Sequence, residues 1–201
     1  MIALFFEVTP KTCQENRYLE IAGGLRPELE TSGGVLFLDR FRSLSRPRTL
    51  LSHQLWQDEA SLTRWRANGC HYGAQTAGRT AVFEDYRLRV GPVVAAREAN
   101  GAIFQTPAGI AYNDPARKPE RFMVVVRSEG EAFAVAGGES WQSVYDANRF
   151  ATVASVSVRA AGLFLIGQAA RTPNVAAAQL CLVSRDYGMF DRGEAPQYFP
   201  A

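Results

Sequence analysis

Few residues of this chain have side chains suited to chemistry, and two of them are its only histidines, His53 and His71. His71 stands in WRANGCHYGAQTAGR (65–79), six residues after Trp65 and seven before Gly78-Arg79. An imidazole there has two readings. It is a general base suited to neutral pH, or a helix-end residue bonded to a nearby carbonyl, where the last turn favours it electrostatically. His53, in LLSHQLW, shares a strand face with Leu51 and Leu55, so it is either a half-buried structural residue or part of a pocket wall. Trp65 follows Leu62 by three positions, which suits a core anchor and also a surface for stacking a substrate. Glu7 shares a face with Ala3 and Phe5 on a strand expected to be central. An ionised carboxylate there needs a partner or an altered pKa. An arginine of a neighbouring strand is the expected partner, and that pairing stands beside a catalytic role. Phe83, Asp85, Arg87 and Arg89 alternate along TAVFEDYRLRV and are expected on one face. The second half has no histidine; Tyr145, Arg159, Arg185, Asp186 and Tyr187 are its chemical candidates.

The bulk properties narrow the function classes. With 201 residues, 47% hydrophobic and 11% aromatic, the chain can bury one large core or two of about a hundred residues each. Its 22 basic and 20 acidic residues give +2, no electrostatic footprint for nucleic acid or an anionic membrane. The apolar start MIALFFEV contains Glu7 and no basic leader, so it reads as a buried strand rather than a signal segment. Cys13, Cys70 and Cys181 are odd in number and far apart. This points to a reducing, cytoplasmic setting without disulfides or a cysteine zinc site.

The elements that must position these residues follow from periodicity. Residues 2–8 read as a strand, and Thr12 to Glu15 as a capping box. Tyr18, Ile21, Ala22, Leu25 and Leu29 form a helical stripe, which Pro27 should loosen near its end. VLFLDRFRSL and TLLSHQLW form a hairpin around SRPR. Asp58 caps a helix carrying Leu62 and Trp65, Gly69 interrupts it, and residues 80–90 make a fourth strand. Strand, helix, strand, strand, helix, strand is the ferredoxin-like order, which leaves one sheet face to be covered. Residues 92–119 form a connector rich in proline and glycine, with Asn100-Gly101 marking a hairpin. The remainder is expected to repeat the order. RFMVVVRS is a strand, followed by a capping box over 128–131 and a helix through Trp141, Val144 and Tyr145. TVASVSVR and GLFLIGQA form a hairpin, a short alanine helix follows Thr172-Pro173, and LCLVSRDY closes the set. The two halves share element order and little residue identity.

MIALFFEVTP, YLEIAGGLRPELE and the run from LSHQLW to YRLRV, with the spacing Trp56, Trp65, His71, Gln75, Gly78-Arg79, resemble the antibiotic biosynthesis monooxygenase family. VSRDYGMFDRGEAP resembles the tail after the last strand in single-domain members. The resemblance covers residues 1–90 and 183–196. It implies an α+β architecture of two tandem ferredoxin-like units (1–91 and 120–201) joined by 92–119, closing a dimeric α+β barrel within one chain. A further homodimer is then allowed and not required. It also implies a cofactor-independent monooxygenase, using no metal or flavin, that acts on a small aromatic or quinol-like molecule. His71 would be the base, and Trp65 and Phe5 the apolar wall. His53, Gln75, Phe83 and Arg87 would touch substrate, Arg87 holding an acid or quinone if its face lines the barrel and forming ion pairs if it lies at an interface. Haem-degrading members place an Asn on strand one and a His ten residues after the helix-two Trp. Here Glu7 and Gln75 occupy those positions, and an amide cannot replace the axial nitrogen. The competing class is a non-catalytic ligand-binding or assembly protein of the same fold. A cavity of several hundred Å3 reached by His71 favours the enzyme.

Overall fold

The structure is a computed structural model that describes residues 1–97, 101–106 and 121–196. The first half runs β1 (Ile2–Pro10), α1 (Glu15–Gly24), α2 (Arg26–Ser32), β2 (Val35–Ser43), β3 (Leu50–Trp56), α3 (Glu59–Ala67), α4 (Gly69–Ala77), a π-turn (Gly78–Val82) and β4 (Phe83–Arg97). Then follow β5 (Ile103–Gln105), β6 (Phe122–Glu129), β7 (Glu139–Ser143), β8 (Arg149–Val156), α5 (Arg159–Ala170), β9 (Val175–Leu182) and β10 (Arg185–Gly188).

Eight strands close an antiparallel barrel in the order β1-β3-β2-β7-β8-β6-β9-β4 and back to β1. The closure depends on the length of β4. Its residues from Phe83 to Pro92 pair with β1, and those from Val93 to Ala96 pair with β9. Gly91 stands at the changeover, and a Cβ there would run into the Leu182 carbonyl and stand 3.0 Å from the Ser184 nitrogen. Strands buried on both faces explain the near-continuous apolar runs. Odd positions of β1 and β3 (Phe5, Leu51, Leu55) fill the barrel with Phe41, Met123 and Trp141. Even positions (Leu4, Trp56) face the helices with Leu62 and Trp65. No helix among the described residues is long and apolar enough to cross a membrane.

In the first half the expected elements form, with three changes. The fourth strand starts at Phe83, after the π-turn over Gly78–Val82, and runs on to Arg97, into the stretch expected as connector. Gln14 stands at the N-cap of α1 without a side-chain hydrogen bond, because Cys13 takes a left-handed φ of 65° and displaces the anticipated capping box. The helix carrying Pro27 divides at Leu25, and Pro27 sits in the first turn of α2, where its missing N–H costs nothing.

The second half corrects the sequence reading in four places. Residues 130–138 form no helix. The Ser128 hydroxyl donates to the Glu131 carbonyl (2.6 Å) and Gly130 has φ 79°, a turn where a helix cap was expected. Trp141 lies on β7, inside the barrel. GLFLIGQA belongs to α5, since an apolar run of that length fits either state. Gly162 presses this helix against Leu180. VAAAQLCL is β9, inserted between β4 and β6, where ladder partners on both sides outweigh alanine's helix propensity. The expected connector hairpin has its flanks paired, β4 with β5; its turn residues 98–100 and the stretch 107–119 lie outside the described residues.

Candidate functional site

A cavity of about 630 Å3 lies between the outward face of the first-half sheet and helices α1 to α4. Strand alternation supplies its floor: Leu4 and Phe6 of β1, Arg40 of β2, Gln54 of β3, Leu88 of β4. The chain's tail forms part of the rim. β10 pairs with β4, and Tyr187 and Arg192 line the opening, Arg192 donating to the Tyr86 hydroxyl at 2.7 Å. The tail thus wraps the other half.

His71 reaches this cavity because the helical run breaks where it does. Asp58 caps α3 in a reciprocal box with Ser61, and those hydrogen bonds hold its carboxyl below the usual range. α3 ends at Asn68, whose side chain accepts from the His71 amide (3.0 Å) and restarts the chain as α4. The break sets the His71 ring on the Trp65 indole, centroids 4.4 Å apart and planes 15° from parallel. His71 Nδ1 lies 3.0 Å from the Trp65 carbonyl. A carbonyl only accepts, so Nδ1 carries the proton and Nε2 holds the lone pair. Burial, opposed by the Trp65 bond, lowers the His71 pKa to about 4, and the ring is neutral at physiological pH. The Gln75 Nε2 donates to the Arg66 carbonyl (3.4 Å) and packs 3.1 Å from Nδ1, which keeps its proton directed at the Trp65 carbonyl; Gln75 has a packing role in place of an iron ligand. The π-turn follows at once, with Gly78 against the Phe83 ring.

The expected site residues divide between the two faces of the sheet. His71, Trp65, Gln75 and Phe83 line the cavity, whereas Phe5, His53 and Glu7 project into the barrel. Phe83 was expected on the face of Arg87 and Arg89. A bulge opposite Thr9 and Pro10 turns it to the helix side, into a cluster with Tyr18 and Tyr86. Phe5 is therefore not a wall of the cavity that His71 reaches. It stacks on His53 inside the barrel, centroids 4.8 Å apart. His53 is fully buried, with Nδ1 3.3 Å from the Leu4 carbonyl. Burial and the nearby Arg127 lower its pKa to about 3. Glu7 pairs with Arg89 of β4 and with Arg46, whose guanidinium also binds Glu139. Arg87 makes a two-pronged ion pair with Asp186 (2.8 and 2.7 Å), which puts it at the seam with the tail. Among the described residues no group of three or more His, Cys, Asp or Glu could hold a metal ion.

Sequence reasoning did not single out Arg40 and Tyr18. The Arg40 guanidinium donates to the Tyr145 hydroxyl (3.0 Å) and the Ala22 carbonyl (3.4 Å). Burial, opposed by Arg40, raises the Tyr18 pKa, so its phenol stays protonated. The only available signal was weak: a basic residue beside Leu38 on the outward face of a strand expected to be covered.

The model of the family described as "Antibiotic biosynthesis monooxygenase" matches residues 1–77. The "Jasmonate monooxygenase ABM" of Pyricularia oryzae is 33% identical over 220 aligned positions, which span 100% of this chain and 99% of that protein. Among solved structures, a protein of Fusobacterium nucleatum subsp. nucleatum overlies 92% of this chain and 93% of its own, with TM-score 0.44 and 11% identity. A structure named "antibiotic biosynthesis monooxygenase" overlies 47% of this chain and 99% of its own, with TM-score 0.42 and 16% identity. With one relative alike from end to end and the family's model matching the half that holds the cavity, this chain belongs to the antibiotic biosynthesis monooxygenase family.

Proposed function

We propose that this chain is a monooxygenase that oxidises a small, largely apolar molecule in the helix-side cavity, using molecular oxygen and neither metal nor flavin. The observation that carries this reading is the cavity of about 630 Å3 reached by a neutral imidazole whose tautomer is set by the Trp65 carbonyl. Nε2 of His71 takes a proton from an acidified C–H or O–H of the substrate. The resulting anion passes an electron to O2, and the two radicals join as a peroxide. Loss of water then turns an activated CH2 into C=O. One O2 is consumed and one water formed, with all four electrons drawn from the substrate.

Anthrone-like compounds carry such a CH2, and quinols reach one through their keto tautomer. The name of the fungal relative adds jasmonate to the compounds worth testing. The halves 1–91 and 120–201 are read as two units of one fold joined by 92–119. In support, the order β2-β3-β1-β4 recurs as β7-β8-β6-β9, the second time with one helix. The barrel closes within one chain, so a homodimer would be an additional association.

Aerobic incubation of chelator-treated, flavin-free protein with this panel, following oxygen uptake and product mass, tests the reading. Stoichiometric oxygen use with one of these compounds is the expected result. No uptake with any of them would return the chain to the binding class.

A further inference from the structure

The cavity is basic as well as apolar. Arg26, Arg40, Arg66, Arg79, Arg185 and Arg192 line it, and among the described residues no Asp or Glu does. Some of these charges are spoken for. Arg26 pairs with Glu30 and Arg185 with Glu59. Arg40, Arg79 and Arg192 form no ion pair among the described residues, and of these three only Arg40 has a buried Nε without a partner, its other hydrogen bonds going to neutral groups. A guanidinium is always charged and carries five donors in a fixed fork. Such a cation, half-buried on a cavity floor among phenols and a carbonyl, lacks the counter-charge that normally accompanies it.

We infer that the ligand of this cavity is a small organic carboxylate, anchored by Arg40 with Tyr18 beside it, its apolar body running towards Trp65 and His71. The inference rests on reading the cavity as the substrate site and adds the class of substrate. Arg40 and Tyr18 adjoin the cluster of Val8, Ala22 and Phe83, whereas Trp65 belongs to the cluster of Leu4, Leu29 and Leu62. Phe6 packs against both, so Arg40 and His71 stand at different parts of the lining, joined by apolar surface. A molecule charged at one end and reactive at the other fits that placement. The arginine clamp would hold the reacting carbon in register with His71.

The test compares acids with their methyl esters by calorimetry at neutral pH on the full chain: jasmonate, octanoate and 4-phenylbutanoate. At least one acid is expected to bind about tenfold or more tighter than its ester, the scale of a charge-assisted fork. Arg40→Gln should bring the pair within about twofold of each other, and Arg40→Lys, which keeps the charge, should retain part of the preference. Equal or weaker binding of every acid in the wild-type chain, no binding of any acid, or an undiminished preference in a folded Arg40→Gln would each overturn the inference. Its failure is separable from that of the oxygenase reading. Acid binding without oxygen uptake sinks only the latter, and oxygen uptake with indifference to the ester sinks only the former.

Discussion

The imidazole of His71 lies face to face with the indole of Trp65, and its Nδ1 meets the Trp65 carbonyl at 3.0 Å. One residue thus holds the ring in place and sets its tautomer. If Nε2 removes the substrate proton, His71→Ala should lower kcat by about a hundredfold or more. Substrate affinity should change far less, because the arginines and apolar walls remain. Steady-state oxygen uptake and calorimetric Kd on the same variant separate the two effects, and unchanged turnover would remove the histidine from the mechanism.

Both histidines make stability depend on pH. Their folded-state pKa values, about 4 for His71 and about 3 for His53, lie below the ordinary 6.5. As pH falls through 6.5 the unfolded chain takes up these protons and the folded chain does not. Stability is therefore full above pH 6.5 and declines down to about 4 through His71 and to about 3 through His53. Each contributes a slope of about 1 kcal/mol per pH unit. Denaturant midpoints between pH 7.5 and 4 should show this loss, and His71→Gln should flatten part of it.

The carboxylate of Glu7 and the guanidinium of Arg89 are paired with side-chain exposures of only 15% and 10%. Arg46 also pairs with Glu7, so it is replacement of Glu7 that leaves the buried Arg89 guanidinium without its carboxylate. Glu7→Gln should cost about 3 kcal/mol or more, and the double variant Glu7→Leu with Arg89→Leu should recover much of the loss. Urea unfolding of the wild type and both variants checks this.

Gly91 is where β4 passes from β1 to β9, with the Leu182 carbonyl in the place a Cβ would take. Gly91→Ala should destabilise by about 3 kcal/mol or more, since backbone on both sides must shift to admit the methyl group. Thermal unfolding should fall by roughly ten degrees. Gly23→Ala, on α1 with open space around it, should be tolerated.

Local pattern carried the first half a long way. The stripe from Tyr18 to Leu29, the Asp58 cap and the hairpin around residues 44–49 were readable because each element meets solvent on one side or ends in a turn residue. Trp65 and His71 could be paired for the same reason, the helix break at Asn68-Gly69 being written in residue types. In the second half, α5 and β9 are apolar or alanine-rich throughout and lose the periodicity that tells helix from strand. A strand pairing with distant neighbours took VAAAQLCL from a helix, and a glycine-rich turn took the place of the first helix. Alternation placed Phe5, Glu7 and His53 on one face and Phe6 on the other. Which face became barrel and which became cavity depended on strands more than a hundred residues away closing the circle. The bulge that turned Phe83 round, and the surroundings that left Arg40 among neutral partners, arise from the same closure. Local order follows from backbone and side-chain preferences within a few residues, whereas the choice of inside and outside is made by contacts that exist only once the barrel is shut.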